Sequence, residues 1–286
     1  MKKFIALLLA LMLVFSLAAC GKKDEAGTAE KDNPTEAPAN ALEKIKSSGK
    51  LIVATSPDYA PVEFLDPDKS GQEQFVGSDI ELAKYIAKEL GVEVVFEAIA
   101  FETIPAAVSQ GTADIGISGF SWRKDRADTM DLSDMYFAQE AGQKLLVLKG
   151  NEKAFSKAED FSGKSVACQN GSLQQTLVEE QLPSDVKIEL VTNIGDAIMM
   201  LTTKKIDAVA LSGENAQSYC NNYPDLSIAD FIFKIEDEGY LAMMKKGETE
   251  LVAEINKIIS KVVAENMYQK WFDDANAYAN KIGAAQ

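Results

Sequence analysis

Twice along this chain a short apolar run, an amphipathic helix, a second run, a second helix and a third run follow one another, and that repeated alternation restricts the fold more than any other feature. Leu51 to Ala54 reads as a strand. Ser78 to Leu90 reads as a helix with apolar residues at three- and four-residue spacing, closed by Gly91. Val92 to Phe96 is a strand, Ile104 to Gln110 a helix ended by Gly111, and Asp114 to Ile117 a strand. The series restarts with Ser165 to Cys168 as a strand, Leu173 to Gln181 as a helix, Val186 to Leu190 as a strand, Ile194 to Thr203 as a helix and Asp207 to Leu211 as a strand. A helix between two strands of one sheet carries the chain back to the starting edge, so the strands pair in parallel. Two such units predict two α/β lobes, each with a parallel-cored sheet. Ligands of such sheets sit beyond the carboxyl ends of the strands, which directs attention to the loops after Ala54, Ile117, Cys168 and Leu211.

The first forty residues belong to a different regime. Met1-Lys2-Lys3 precedes a nearly unbroken apolar stretch from Phe4 to Ala19, and small residues lead to Leu17-Ala18-Ala19-Cys20. A basic start, an apolar stretch short for a membrane span and small residues before a cut site read as a signal peptide over residues 1–19. The Leu-Ala-Ala-Cys run resembles a bacterial lipobox, which implies that Cys20 is lipidated and becomes the mature N-terminus, anchored to the cell membrane through its acyl chains. Residues 20–40 carry Pro, Gly, Ala and charge with almost no large apolar side chain. Such a segment cannot bury enough surface to fold, and as a flexible tether it reaches about 25 Å.

Composition removes several function classes from the folded remainder, which begins near Ala41. With 29 basic against 44 acidic residues the net charge is −15, and loss of Lys2 and Lys3 makes it more negative still, which opposes nucleic-acid binding. The chain has no histidine, and Cys168 and Cys220 lack metal-ligand spacing, so neither a zinc site nor a Ser-His-Asp triad is expected. No cofactor is called for. Cys168 and Cys220 could pair in an oxidising compartment or remain free thiols; sequence leaves both open.

The loops marked by the strand pattern carry a resemblance. Leu51 to Leu65 (LIVATSPDYAPVEFL), Val76 to Leu90 (VGSDIELAKYIAKEL), Phe101 to Asp114 (FETIPAAVSQGTAD), Ile117 to Asp134 (ISGFSWRKDRADTMDLSD) and Ala141 to Val147 (AGQKLLV) resemble successive segments of the family 3 solute-binding proteins of polar amino-acid ABC importers. Phe161 to Ser172 (FSGKSVACQNGS), Lys205 to Val209 (KIDAV) and Tyr268 to Phe272 (YQKWF) continue it in order. The resemblance implies a type II periplasmic-binding-protein fold. One lobe takes residues 41–137 plus 240–286 and the other 144–235, with two hinge crossings at 138–143 and 236–239. It further implies a monomer held outside the membrane that captures an amino acid or a close carboxylate-bearing analogue in the inter-lobe cleft and delivers it to ABC permease subunits.

The same resemblance assigns roles. Arg126, eight residues after Ser118, stands where the family's carboxylate-binding arginine stands, and a guanidinium fork is the donor that a desolvated carboxylate needs. Ser118, Gly119 and Ser121 add hydroxyl and N–H donors around it, whereas Arg123 lacks the match and is assigned to the solvated surface. Tyr59 matches the aromatic that lies over the bound side chain, and Phe101 a second, sometimes aromatic, position. From the other lobe, Asn170-Gly171-Ser172 opens a helix whose N–H groups favour an anion, which brings in Ser172 and the backbone near Gln169.

Two departures bear on the ligand. Many relatives hold the α-ammonium with acidic residues at the positions of Ser56 and Ser212, so here either nearby Glu214 or Asp58 substitutes or the ligand is not an ordinary α-amino acid. Ser78, where relatives often have Phe, reads as a surface or packing change, and Trp122 as either a cleft aromatic or a lobe-surface residue. The alternative reading keeps the fold and changes the use: a cyclohexadienyl-dehydratase-like enzyme, with Glu214 as its acid or base, or a ligand-sensing domain, which would normally continue into a membrane helix.

Overall fold

A computed structural model describes residues 40–235 and 239–284. The expected signal peptide, Cys20 and all of the tether but residue 40 lie outside the described residues, as do 236–238 of the second expected hinge crossing. The chain enters through α1 (Ala41–Ser48), capped by the Asn40 side chain, and runs into β1 (Lys50–Thr55). A small antiparallel flap follows, made of β2 (Asp58–Tyr59), β3 (Glu63–Leu65) and β4 (Phe75–Val76). Then come α2 (Ser78–Leu90), β5 (Glu93–Ala98), α3 (Ile104–Gln110), β6 (Ile115–Ser121), α4 (Lys124–Thr129), β7 (Met130–Leu132) and β8 (Phe137–Ala138). A second sheet is built from β9 (Gln143–Leu148), β10 (Ser165–Gln169), β11 (Lys187–Val191), β12 (Ala208–Ser212) and β13 (Leu226–Ile232), connected through α5 (Leu173–Gln181), α6 (Ile194–Thr202) and α7 (Gly213–Asn222). The chain then returns to the first sheet as β14 (Gly239–Lys245) and ends in α8 (Thr249–Ala264) and α9 (Met267–Ile282).

The two sheets have the same plan. Their orders are β5-β1-β6-β14-β7 and β11-β10-β12-β9-β13, so in each the first strand of the repeated unit lies between the second and third, all parallel. In each, the strand beside the third runs antiparallel and belongs to the segment where the chain passes between sheets. The central strands β12 and β14 are buried almost throughout, as strands covered by helices on both faces must be, while the edge strand β11 is largely exposed.

Helix α2 shows how sequence sets the local frame. Ile80, Leu82, Ala83, Ile86, Ala87 and Leu90 are buried in one cluster with β1, β6, α8 and α9. Full burial of a side chain such as Ile86 contributes roughly 1.5–3 kcal/mol. The helix begins after Gly77, at φ +130°, where an added Cβ would lie 2.2 Å from the Val62 carbonyl oxygen. It ends at Gly91 in the left-handed region, whose N–H returns to the Ala87 and Lys88 carbonyls. Ser78 is not a surface change: it is fully buried, and its Oγ donates to Tyr268 Oη at 2.9 Å. Cys168 and Cys220 are both free thiols.

The expected helix Ile104 to Gln110 and the helix Leu173 to Gln181 form with those bounds, but the third strand of the first unit runs further than the pattern indicates. β6 continues through Ser121, so Ser118, Gly119 and Ser121 lie in a strand rather than in the loop after it. Apolar alternation ends at Ile117, and the polar continuation is held by pairing Phe120 and Ser121 with Leu241 and Tyr240 of β14, a strand distant in sequence.

Candidate binding cleft

The carboxyl ends of β1, β6, β10 and β12 face one another across a narrow cleft between the two sheets. Among the sequence-predicted residues, Tyr59, Phe101, Ser118, Gly119, Ser121, Arg126, Gln169 and Ser172 line it, joined by Glu63, Gln174 and Tyr240. Ser56, Ser212 and Glu214 do not. The space between the walls is about 20 Å³, room for about one water. A molecule of amino-acid size therefore needs the walls to part.

Arg126 is set by the last residues of β6 and the short α4. It is 6% exposed, its Nη1 donates to the Ser121 carbonyl and its Nη2 to the Gly171 carbonyl on the opposite lobe, both at 2.8 Å. Its guanidinium lies over the Phe120 ring at 5.0 Å and the Phe101 ring at 5.7 Å, and those rings stack at 4.6 Å. Phe101 therefore lies beneath the arginine as well as lining the cleft. Burial, with Arg123 beside it, pulls the guanidinium down to about 9. Among the described residues no carboxylate bonds to it, and Asp125 acts only at a distance. A buried cation met only by carbonyl oxygens is a strong attractor for an anion.

The opposite character gathers around Glu63, which the sequence reading passed over. Glu63 is 1% exposed, its Oε1 accepts from Ser118 Oγ at 2.9 Å, and its Oε2 is buried with no donor among the described residues. Beside it Asp79 accepts from Tyr268 Oη at 2.6 Å, from the Gly119 N–H at 2.7 Å and from Tyr136 Oη at 3.0 Å. Desolvation raises both carboxyls, Glu63 well above the ordinary carboxylate range and Asp79 to about 6; the neighbouring Asp79 charge raises Glu63 further, whereas the contact with Glu63 favours the Asp79 anion. Asp79 has three donors that favour its anion whereas Glu63 has one, so the proton shared by the pair belongs on Glu63. The sequence signal was a glutamate inside an apolar run, Val62-Glu63-Phe64, four residues after Tyr59.

The donors expected around the arginine are largely engaged elsewhere. Ser118 Oγ donates to Glu63 and accepts from the Ser56 N–H at 3.0 Å, and the Gly119 N–H is bound to Asp79. Gly119 sits at φ +56°, a backbone conformation that strains residues with a Cβ, although the Tyr240 and Tyr59 rings would meet a Cβ there only at ordinary contact distance. Tyr59 Oη accepts from the Ser212 N–H of the second lobe at 3.2 Å. Ser172 caps α5 through its Oγ, and Gln169 Nε2 donates to Asp58.

The candidates for an ammonium partner resolve differently. Ser56 Oγ donates to Asp58 Oδ1, and Ser212 Oγ caps α7, bonding Asn215. Asp58 is raised by burial, yet its oxygens are already met by Ser56, Gln169 and the Ile194 N–H. Glu214 Oε1 accepts from the Ala141 N–H, and its side chain lines a separate recess with Phe137 and Phe272. Glu63 is thus the carboxyl that faces the cleft. Trp122 is half exposed and does not line it. No group of side chains among the described residues could hold a metal ion, and no helix there is long and apolar enough to cross a membrane.

Comparison with known proteins places this geometry. The family model described as bacterial extracellular solute-binding proteins, family 3, matches residues 51–274. The arginine-binding extracellular protein ArtP of Bacillus subtilis is 27% identical over 280 residues, covering 95% of this chain and 98% of its own. The ABC transporter glutamine-binding protein GlnH of the same organism is 29% identical over 282 residues, covering 96% and 98%. Among solved structures, the amino-acid ABC transporter substrate-binding protein AbpA from Streptococcus pneumoniae, bound to L-arginine, is 36% identical. It covers 85% of this chain and 98% of its own, with a TM-score of 0.77.

Proposed function

This chain belongs to the bacterial extracellular solute-binding proteins of family 3, and from that premise we propose that it captures an extended amino acid with a cationic side chain and delivers it to an ABC permease. The observation that carries the reading is the pairing, in one cleft, of a buried guanidinium without a carboxylate partner and a buried carboxyl with a donor-less oxygen. Arg126 takes the ligand's carboxylate and Glu63 its distal cationic group. Different residues of β6 touch them, Ser121 for Arg126 and Ser118 for Glu63, so the two groups stand at separate points of the cleft, which suits the two ends of a long ligand better than neighbouring groups on one carbon. Relatives named for arginine support the same class.

Binding proceeds by parting and re-closing of the lobes about the two chain crossings. The ligand favours the closed form only by its differential affinity for that form, and the permease reads the closed shape. No bond is broken in the process. Lipidated Cys20 and the residues after it keep the protein outside the cell and beside its transporter.

A second reading follows from the proton on Glu63. A neutral carboxyl can both donate and accept, which suits an uncharged amide side chain, as in a ligand such as glutamine. A thermal-shift panel of the amino acids on the full chain separates the two, because a ligand that binds only the folded state raises the midpoint by mass action. The cationic reading expects arginine or lysine to give the largest shift and Arg126→Ala to abolish it. A larger shift with glutamine selects the amide reading, and no shift with any amino acid overturns both.

A further inference from the structure

Arg123 departs from its sequence assignment to the solvated surface. Its side chain is 20% exposed and crosses between the lobes. Nη1 donates to the Gly171 carbonyl at 2.8 Å and to the Ser172 carbonyl at 3.0 Å, both at the entry of α5. Nε and Nη2 form a fork on the two oxygens of Asp125, at 3.0 and 2.9 Å. The guanidinium is thereby held by its own lobe on one edge while its other edge grips the second lobe. It lies outside the cleft, in a neighbouring recess with Glu102 and Gly171, so a cleft ligand need not displace it. Close approach there is tight: a Cβ on Gly171 would stand 3.3 Å from Glu102 Cβ.

We propose that Arg123 is a closure latch: a positioning residue that, braced by Asp125, clasps the Gly171 and Ser172 carbonyls and sets how long the two lobes stay shut. The physical case rests on what else crosses the cleft. Asp58 accepts from Gln169 and the Ile194 N–H, Tyr59 from the Ser212 N–H and the Ala60 carbonyl from Asn215 Nδ2, all in the segment before α2, and Asn222 Nδ2 donates to Asn280 of α9; Arg123 and Arg126 supply the bonds from the β6–α4 segment. Arg126 is the residue a carboxylate would recruit. Arg123 is the member of this second set that a bound ligand does not recruit, so its bonds to the second lobe can re-form once the ligand is in place. A charged donor serving two carbonyls, fixed by a bidentate carboxylate, loses little freedom on closing, so its bond acts on the open–closed equilibrium rather than on ligand chemistry. The role rests on the lobes opening and closing, as the transport reading requires, but it does not depend on which ligand is carried.

Hydrogen exchange on the full chain without added ligand tests the latch separately from the transport reading. The Ile194 and Ser212 amides are bonded across the lobes yet report from the Asp58 and Tyr59 contacts, not from Arg123 itself. Arg123→Gln is expected to speed their exchange about tenfold, the scale of one charge-assisted bond. Arg123→Lys, which cannot span both carbonyls while held by Asp125, is expected to fall between. A purely local structural role would instead speed only amides in 124–129 and leave Ile194 and Ser212 unchanged, which overturns the latch. Once a ligand is known, stopped-flow release from Arg123→Gln is expected to be several-fold faster with association little changed. Equal release from parent and variant also overturns it. Failure of every amino acid to bind would sink the transport reading while leaving the exchange result to decide on Arg123.

Discussion

At one side of the cleft two guanidiniums share the Gly171 carbonyl and no carboxylate touches the inner one; at the other, two carboxyls lie together and the outer one keeps an oxygen without a donor. The arginine side is held mostly by backbone carbonyls, so its positive charge is ordered but not neutralised. The carboxyl side neutralises itself by holding a proton. A charged site can therefore be kept ready in two ways: by leaving a permanent cation, which cannot lose its proton at ordinary pH, or by storing an anion in protonated form until a cation arrives. The first fixes affinity for one ligand group over a wide pH range. The second links affinity to pH.

The largest expected effect falls on the permanent side. Arg126→Ala is expected to weaken binding of any carboxylate ligand by at least 100-fold, the range measured when one partner of a buried charge pair is truncated. Titration calorimetry reads it directly, and a loss below tenfold would mean that the carboxylate is held by other groups. Glu63→Gln is next. It is expected to cost a cationic ligand roughly 10- to 50-fold while sparing or improving an amide ligand, since the amide removes the stored anion but keeps the shape. Equal losses for both ligand classes would remove the distinction between the two sides.

The pH dependence sharpens the same contrast. Glu63 is raised well above the ordinary range, so a cationic ligand must displace its proton. Affinity is therefore expected to fall as pH drops and Glu63 holds its proton more firmly, with proton release visible in buffers of different ionisation enthalpy, and Glu63→Gln is expected to flatten the profile. Folding stability carries the opposite sign for this pair. Asp79 is raised to about 6 from an unfolded value near 3.8, so the folded state binds the proton more tightly. Its contribution is fully present below pH 3.8 and lost as pH rises through 6. Denaturant titrations of parent and Asp79→Asn between pH 4 and 7 are expected to show a shallower pH slope in the variant. An unchanged slope would show that the pair is not desolvated. The smallest effect is expected at Gly171→Ala, where a left-handed φ of +73° and the Glu102 side chain together disfavour a Cβ. A destabilisation of about 1 kcal/mol and a several-fold weaker ligand are expected; a neutral result would mean that the lobes meet less closely than here.

Much of this was visible in one dimension because the relevant physics is local. The limits of α3 and α5 follow from Gly111 and from Ser172, a left-handed cap and a hydroxyl cap that act within four residues. Arg126 was picked out by the resemblance of the segment Ile117 to Asp134 rather than by a local physical rule. Other features were not legible in the same way. Ser118 and Ser121 belong to a strand because β14, more than a hundred residues later, pairs with the same β6. Glu63 was missed because the search for a carboxyl started from the positions of Ser56 and Ser212, whereas the flap brings Glu63 into the cleft from a neighbouring hairpin. Arg123 was assigned to the solvated surface because it lacks the family match, and its partners on the opposite lobe are carbonyl oxygens, which carry no sequence identity at all.

Periodicity and caps thus determined from sequence alone that this chain forms paired α/β units, because each of those signals is written within a few neighbouring residues, while Arg126 was singled out by the resemblance of its segment. Which carboxyl faces that arginine, which hydroxyls are already spent and which arginine clasps the opposite lobe were decided only in the tertiary structure. Those outcomes depend on distances between segments that meet after folding, and on how far burial shifts a proton between Glu63 and Asp79 once water has been excluded from both.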